Sequence, residues 1–163
     1  MSKIHLRRLS LSTLFSVVIV LGLTSLALAA NSVTFTDGGN KVTATVGHSG
    51  NDFTCSGTNQ RSNGDSVPLI LVSAVCQYRD NLQVWHDFET APSNSTAGAA
   101  VSVTYTDNPC TASDGGADLP AGTWKIRGQA DGRYEQPLGT NHPFNGPDQS
   151  GIATTATYPV ANC

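Results

Sequence analysis

The stretch VPLILVSAVCQY, residues 67–78, is the most apolar segment of the chain after its N-terminal 30 residues. Residues 69–72 within it are all Leu, Ile or Val, and a polar segment rich in Gly, Asn and Ser, residues 57–66, comes just before it. A short continuous apolar run next to turn-forming residues is typical of a strand that is central in its sheet or buried on both faces. The sequence therefore predicts a sheet that is organised around residues 67–78.

The segments on either side of this stretch alternate apolar and polar residues, as half-buried strands do. The alternating segments are residues 33–36, 41–46, 82–88, 99–106, 123–130 and 151–160. In the segment 82–88 the alternation puts four side chains on one face, those of Leu82, Val84, His86 and Phe88. Thr and Val are frequent and no segment after residue 30 has a helical period, so we expect an all-β fold. The spacing of the turns favours an antiparallel β-sandwich of about seven or eight strands, with a small β-barrel as the alternative.

The N-terminal segment has the pattern of a secretory signal peptide. Three basic residues among the first eight precede an apolar core at residues 14–23, and Ala27-Leu28-Ala29 provides the small residues that a signal peptidase requires. The sequence thus predicts a signal peptide over residues 1–29 and a single secreted domain over residues 30–163. A membrane anchor over the same apolar stretch is the alternative, but polar residues interrupt the stretch and no basic cluster follows it.

The charge of the predicted mature chain limits its partners. Residues 30–163 contain six Lys and Arg against twelve Asp and Glu, a net charge of −6. We therefore expect no nucleic-acid partner and no attraction to an anionic membrane through the overall field of the protein. No second apolar run follows the signal peptide, so we expect no stable membrane insertion after cleavage.

All four cysteines, Cys55, Cys76, Cys110 and Cys163, lie in the predicted mature chain. An even number of cysteines in an exported protein indicates two disulfides, and four cysteines allow three connectivities. The predicted antiparallel pairing of strands favours Cys55–Cys76 and Cys110–Cys163. In the loop-entropy model these bridges stabilise the fold by about 3 and about 4 kcal/mol.

A motif in the C-terminal part resembles a known kind of protein. Cys110 precedes the strand Gly122-Thr123-Trp124-Lys125-Ile126-Arg127, and the chain ends at Cys163. Residues 100–163 are thereby similar to the last two strands of small secreted bacterial Ig-like domains of unknown function, in which a Gly-Thr-aromatic strand follows a Cys that bridges to the C-terminal one. The resemblance implies an Ig-like β-sandwich and a bacterial source, and it brings no activity, cofactor or functional residues with it.

Candidate catalytic and metal-binding residues are few. Glu89, Glu135 and His86 are the residues that a small extracellular glycosidase or esterase would use, but the chain lacks the Gly-x-Ser-x-Gly motif of many esterases. Asp114 and Asp118 flank glycines in a turn and form the best pair of calcium ligands, without the spacing of an EF-hand loop. We expect a protein that is not an enzyme and that needs no cofactor.

The segment Asp131–Ser150, DGRYEQPLGTNHPFNGPDQS, is far longer than a hairpin connection requires. Long loops are often functional, and aromatic and Arg side chains are typical of recognition surfaces. We therefore predict that Arg133, Tyr134, His142 and Phe144 bind a ligand; the alternative is that the aromatic residues pack against the sheets. The sequence predicts a non-catalytic binding module for an extracellular protein or glycan, with a secreted protease inhibitor as a further alternative.

The cysteines give the first testable prediction. We expect that protein harvested from the medium begins at Ala30 and exposes no reactive thiol when it is denatured without reductant, because both cysteine pairs are oxidised. Titration with a thiol reagent and N-terminal sequencing measure this. Four reactive sulfhydryls would contradict the predicted export and disulfides.

Overall fold

The computed structural model describes residues 30–88, 92–109, 119–146 and 151–160. Several predictions concern residues outside these ranges: the signal peptide, Glu89, the calcium ligands Asp114 and Asp118, and the disulfide between Cys110 and Cys163. For them the sequence-based expectations stand untested.

The described residues form ten β-strands and no helix, which confirms the all-β prediction. The strands are β1 (Asn31–Asp37), β2 (Asn40–Ser49), β3 (Asp52–Arg61), β4 (Val67–Arg79), β5 (Trp85–Asp87), β6 (Ser93–Gly98), β7 (Ala100–Asp107), β8 (Gly122–Glu135), β9 (Asn141–Pro143) and β10 (Ile152–Val160). Cross-strand threonine pairs support the pairing of the strands. The hydroxyls of Thr34 and Thr43 lie 2.8 Å apart, and those of Thr54 and Thr106 lie 2.9 Å apart.

The strands make two antiparallel sheets. The first has the order β1-β2-β3-β7 and the second the order β10-β8-β4-β5, with β6 also paired to β4 and β9 to β8. Strand β4 pairs with β8 along one edge and with β5 and β6 along the other. The apolar stretch at residues 67–78 therefore forms the central strand of its sheet, as the sequence predicts.

The core contains side chains from both sheets. Val42, Ala44 and Val46 on β2 are completely buried, in agreement with the alternation of their segment. One buried cluster combines Val46 of the first sheet with Ile126 of the second, and two further clusters also take residues from both sheets. Apolar side chains on the facing sides of the two sheets thus bury one another.

The disulfide between Cys55 and Cys76 confirms the predicted pairing of these two cysteines. Its position in the fold differs from the expectation, because Cys55 lies on β3 of the first sheet and Cys76 on β4 of the second. The bridge therefore joins the two sheets instead of neighbouring strands of one sheet. Both cysteines are completely buried, so the link lies within the core.

Glycines allow the two sheets to approach each other closely. A Cβ atom at Gly128 on β8 would lie 2.5 Å from the carbonyl oxygen of Thr45 on β2. A Cβ atom at Gly57 on β3 would lie 3.0 Å from the carbonyl oxygen of Ser73 on β4. A glycine inside a strand often marks such a close approach of two backbones.

A buried asparagine connects the sheets beside these glycines. The Nδ2 atom of Asn59 on β3 donates hydrogen bonds to the carbonyl oxygens of Leu71 on β4, at 2.8 Å, and Arg133 on β8, at 3.1 Å. A Cβ atom at Gly132 would lie 2.6 Å from this Nδ2 atom, so only glycine leaves room for the asparagine. Strand β8 therefore continues to Glu135, and the first five residues of the predicted loop 131–150 are strand residues instead.

The alternation predicted for residues 82–88 is wrong at its beginning. Leu82 is 78% exposed and Val84 is 50% exposed, and strand β5 begins only at Trp85. Asp80 forms a turn there, since the backbone N–H of Val84 donates to its carboxylate at 2.8 Å and the N–H of Gln83 donates to its carbonyl at 3.1 Å. Aspartate side chains commonly bind nearby backbone in this way, and the turn ends the alternation before β5.

The close approach of the sheets gives the second prediction. Replacing Gly128 with Ala should lower the free energy of unfolding by about 1–3 kcal/mol, because the new methyl group forces the backbone of β2 away. Chemical denaturation measures this difference.

Gly122→Ala on the same strand is the matched control. A Cβ atom there would lie 3.6 Å from Nε1 of Trp124, an ordinary contact distance. We expect a change within about 0.5 kcal/mol for this control. Equal stability of the two variants would contradict the close contact between β2 and β8.

Candidate functional site

The turns and loops between the antiparallel strands collect at two ends of the molecule. At one end lie the turn between β1 and β2, residues 38–39, and the turn between β8 and β9, residues 136–140. We call this the hairpin end. At the opposite end lie residues 79–85, from the end of β4 to the start of β5, and residues 119–125, which lead into β8. We call this the tryptophan end, because it contains Trp85 and Trp124.

Three side chains form a stack at the hairpin end. The rings of Tyr134 and His142 are nearly parallel, with their centroids 4.6 Å apart. The guanidinium carbon of Arg61 lies 3.6 Å from the centroid of the Tyr134 ring, a cation–π distance. The Nη1 atom of Arg61 donates a hydrogen bond of 2.5 Å to the carbonyl oxygen of Gly39. The stack therefore holds the β8–β9 hairpin against the β1–β2 turn.

The arginine in this stack is unusually buried. Arg61 is only 7% exposed, and its Nε atom has no hydrogen-bond partner among the residues that the structure describes. Burial of a charged group is costly unless other groups compensate it. The face of the Tyr134 ring and the carbonyl of Gly39 provide this compensation, so the stack contributes to stability.

The four residues predicted to bind a ligand have different positions. Tyr134 and His142 lie together in the stack, and Arg133 is exposed. Phe144 is 4% exposed and packs in a buried cluster with Val42 and Ile152. The structure thus brings two of the four together and puts the phenylalanine in the core.

The candidate catalytic residues lie at opposite ends. Glu135 is at the hairpin end, where its carboxylate accepts a hydrogen bond of 2.7 Å from the backbone N–H of Gly139. His86 is at the tryptophan end. Their register partners on β4 are Leu69 and Tyr78, nine positions apart, and nine strand residues span about 30 Å. The two side chains therefore cannot act on one bond.

An open cleft of about 540 Å³ lies at the tryptophan end. Its lining consists of Arg79, Asp80, Asn81, Gln83, Ala121, Gly122, Thr123, Trp124 and Lys125. The indole of Trp124 is held in place, because its Nε1 atom donates to the carbonyl of Pro120 at 2.9 Å and its ring meets the ring of Tyr78 edge to face. The cleft therefore combines one fixed aromatic wall with two cations, the carboxylate of Asp80 and neutral polar groups.

The second tryptophan lies beside the cleft and contacts two cations. The guanidinium carbons of Arg127 and Arg79 lie 4.4 and 5.7 Å from the centroid of the Trp85 ring. The Nε atom of Arg79 donates to the carbonyl of Gln83 at 3.1 Å. Cation–π contacts and hydrogen bonds to neutral acceptors thus orient these two arginines.

Asp80 forms a hydrogen bond with His86 at the edge of the cleft. One carboxylate oxygen lies 2.8 Å from Nε2 of His86, and the other accepts the N–H of Val84. These hydrogen bonds, first that of His86 and then that of Val84, lower the pKa of Asp80. A histidine–aspartate pair is part of a hydrolase triad, but no Ser or Thr hydroxyl in the described part of the chain hydrogen-bonds to His86.

The outer face of the second sheet carries one carboxyl with a shifted pKa. Burial raises the pKa of Asp131, and a hydrogen bond from the backbone N–H of Gly132 opposes this shift. Asp131 lines a small hollow of about 220 Å³ with Ser73, Gln77 and Gln129. Because the raised pKa means that the charged form is disfavoured in the fold, this carboxylate costs stability at neutral pH and ceases to do so in acid.

Metal ligands do not cluster in the described residues, which contain no group of three or more His, Cys, Asp or Glu able to hold an ion. Within the same ranges no helix has the length and apolarity to cross a bilayer. No family model and no curated protein matches the chain. The side chains at the two ends are therefore the features that bear on function.

The cleft at the tryptophan end is the feature that sequence reasoning missed. The alternation of residues 123–130 correctly predicts that Trp124 faces inward, but it does not indicate that the indole borders open space. The turn at Asp80 forms the opposite wall of the cleft, and no local sequence pattern predicts that this turn faces the residues that lead into β8. The available signal was the presence of Arg79, Lys125 and Arg127 close to the only two tryptophans.

The stack at the hairpin end gives the third prediction. Arg61→Ala should lower the free energy of unfolding by about 1–3 kcal/mol, because the Gly39 carbonyl keeps only the N–H of Ser62 as a donor and Tyr134 loses a cation–π partner. Arg61→Lys should restore only part of this, since an ammonium lacks the planar face of a guanidinium. Chemical denaturation measures both variants.

Arg133→Ala on the exposed face is the control, with an expected change within about 0.5 kcal/mol. If Arg61→Ala and Arg133→Ala had the same small effect, the stack would not stabilise the hairpin end.

Proposed function

We propose that this chain is a non-catalytic, secreted protein that binds an extracellular partner through the cleft at the tryptophan end. In this proposal residues 1–29 are removed on export and the two sheets form an Ig-like β-sandwich. A second disulfide between Cys110 and Cys163 joins the long connection before β8 to the end of the chain. The oxidised Cys55–Cys76 pair supports export, because structural disulfides persist mainly outside the cytoplasm.

The cleft is the observation that carries the proposal. Ligand sites are typically concave, with aromatic walls and a few polar groups that fix the ligand's orientation. The 540 Å³ cleft has this composition, with Trp124 as the aromatic wall and Asn81, Gln83 and Thr123 as neutral polar groups. The hydrogen bond from Trp124 to Pro120 fixes the wall before a ligand arrives, which lowers the entropy lost on binding.

The chemistry of the lining favours a glycan over a protein segment as the partner. Sugar rings present C–H groups that pack on the negative face of an indole, and their hydroxyls pair with amide and hydroxyl side chains. A protein partner would need a larger apolar anchor than the cleft offers beside its polar rim. An extracellular protein remains the second class of partner.

Binding rather than hydrolysis is favoured by what the acidic side chains do. Glu135 holds the turn of the β8–β9 hairpin, and Asp80 holds the turn before β5 while pairing with His86. Glycoside hydrolysis requires two carboxyl groups on either side of one bond. Glu135 and His86, which lie at opposite ends, therefore do not form such a site together.

A secreted protease inhibitor is the second candidate function, and one observation favours it. Leu138 at the tip of the β8–β9 hairpin is 68% exposed, on a turn that Glu135 and the stack hold rigid. An exposed apolar side chain on a rigid loop is what a protease subsite accepts. Incubation with a panel of extracellular proteases separates this function from glycan binding, since an inhibitor loop is cut slowly or not at all.

The fourth prediction tests the cleft. Ala121 is exposed and lines the cleft, so Ala121→Tyr should fill it without disturbing the core. We expect this variant to bind immobilised extracellular polysaccharides at least about tenfold more weakly than the unchanged protein. Binding to an array of such polysaccharides and secreted proteins measures this.

Ser66→Tyr, at an exposed position in the turn before β4, is the matched control and should leave binding unchanged. Thr140→Tyr at the hairpin end examines the other candidate surface. If Thr140→Tyr abolished binding and Ala121→Tyr did not, the cleft would not be the binding site.

A further inference from the structure

Positive charge is concentrated at the tryptophan end of this acidic protein. Of the six Lys and Arg in residues 30–163, three lie in or beside the cleft: Arg79, Lys125 and Arg127. The segment from Arg79 to the end of β5 also contains two acidic residues, Asp80 and Asp87. The remainder of residues 30–163 has three cations against ten acidic residues. The cleft is therefore a local exception to the charge of the whole domain.

The register of the strands brings these cations onto one face of the second sheet. Arg79 is opposite Trp85 on β5, and Gln77 is opposite both Arg127 on β8 and Asp87 on β5. Residues two apart on a strand share a face, so Lys125 lies on the same side as Arg127. The intervening Ile126 is completely buried, which confirms that its neighbours point outward. We call Arg79, Trp85, Lys125 and Arg127 the basic patch.

Neutral acceptors orient the arginines of the basic patch. Arg127 donates to the amide oxygen of Gln77 at 2.5 Å and to that of Gln129 at 3.2 Å, and Arg79 donates to the carbonyl of Gln83. The two carboxylates beside the patch have other partners, since Asp80 is bound to His86 and the backbone of Val84 and Asp87 accepts a hydrogen bond from the side-chain amide of Gln77. These contacts hold the side chains in place, so a ligand finds cations that are already in position.

Two of these cations also line the cleft. Arg79 stands on one side with Asn81 and Gln83, and Lys125 stands on the other beside Trp124. A guanidinium binds a carboxylate through two parallel hydrogen bonds, and an ammonium adds a point charge. The cleft is therefore lined by an aromatic ring on which a sugar can pack and by two groups that bind an acid.

We propose that the cleft and the basic patch bind a glycan that carries carboxylates, such as a chain of uronic acids. This inference rests on the proposed function and adds the chemical class of the ligand. A chain with one carboxylate on each sugar would contact Arg79 and Lys125 inside the cleft and continue across the open face toward Arg127. Neutral glycans would lose the ionic contacts and keep only the packing on Trp124.

The experiment compares polygalacturonate with its fully methyl-esterified form, using the full mature protein at low and at high salt. We expect binding of polygalacturonate to be about tenfold or more tighter than binding of the ester, and to weaken as salt rises. Equal affinity for the acid and the ester would overturn the inference.

Variants then test the location of the site. Arg79→Gln and Lys125→Gln should each weaken binding of polygalacturonate about tenfold and leave the weak binding of the ester nearly unchanged. Lys41→Gln is the control, since Lys41 is an exposed strand lysine of the first sheet and its loss changes the net charge equally. An equal loss for Lys41→Gln would mean that only the net charge matters, which overturns the inference.

Two further probes distinguish other sources of negative charge. Dextran sulfate carries sulfates in place of carboxylates, and poly-glutamate carries carboxylates on a peptide. Weaker binding of both than of polygalacturonate supports a uronate ligand, and equal or tighter binding of poly-glutamate overturns it in favour of an acidic protein. If the acid and its ester bound equally and Ala121→Tyr abolished the binding of both, this inference would fail while the proposed function would stand. If Ala121→Tyr weakened the binding of neither, the inference and the proposed function would both fail.

Discussion

The backbones of β2 and β8 come so close at Thr45 and Gly128 that no side chain larger than hydrogen fits between them. Much of the fold depends on this approach. It brings the two sheets near enough for Val46 and Ile126 to share one buried cluster and for a disulfide to cross from Cys55 to Cys76. A Cβ at position 128 would push the sheets apart and loosen packing on both sides, because protein interiors have little spare volume.

The same closeness explains the buried polar link between the sheets. Asn59 lies beneath Gly132 and donates to two carbonyl oxygens of the second sheet, which satisfies its Nδ2 atom where water has no access. Asn59 fastens β3 to both β4 and β8, and the pairing of β8 with β4 extends β8 to Glu135, which delivers Tyr134 to the stack with Arg61 and His142. The rigidity of the hairpin end is therefore a consequence of packing near the middle of the sheets.

The opposite end combines rigidity with an open surface. The turn held by Asp80 stands apart from the residues that lead into β8, and the cleft lies between them. Trp124 is fixed by Pro120 and Tyr78, and the arginines around Trp85 are fixed by neutral acceptors. A protein whose overall charge is negative thus presents oriented cations at one place, which is the electrostatic arrangement expected of a specific site for an acidic ligand.

Local pattern predicted most of the strands, but not β6 or β9. The continuous apolar run at residues 67–78 became the central strand β4, and the alternation of β2 and β8 correctly predicted which side chains are buried, because a strand with one buried face must repeat every two residues. The pairing of Cys55 with Cys76 also followed from the sequence, although the reason given for it did not hold. Local pattern failed at residues 82–84 and 131–135, where a turn at Asp80 and a cross-sheet contact with Asn59 overrode it.

The sequence by itself therefore determined the all-β class, the central strand and the excess of acidic residues, since each of these depends on composition or on short-range periodicity. Only the tertiary structure decided that the disulfide joins two sheets, that Phe144 belongs to the core, and that Arg79, Trp124 and Lys125 border a single cleft. These facts depend on which distant strands become neighbours. That choice is made by the mutual burial of whole sheet faces, which no short stretch of sequence contains.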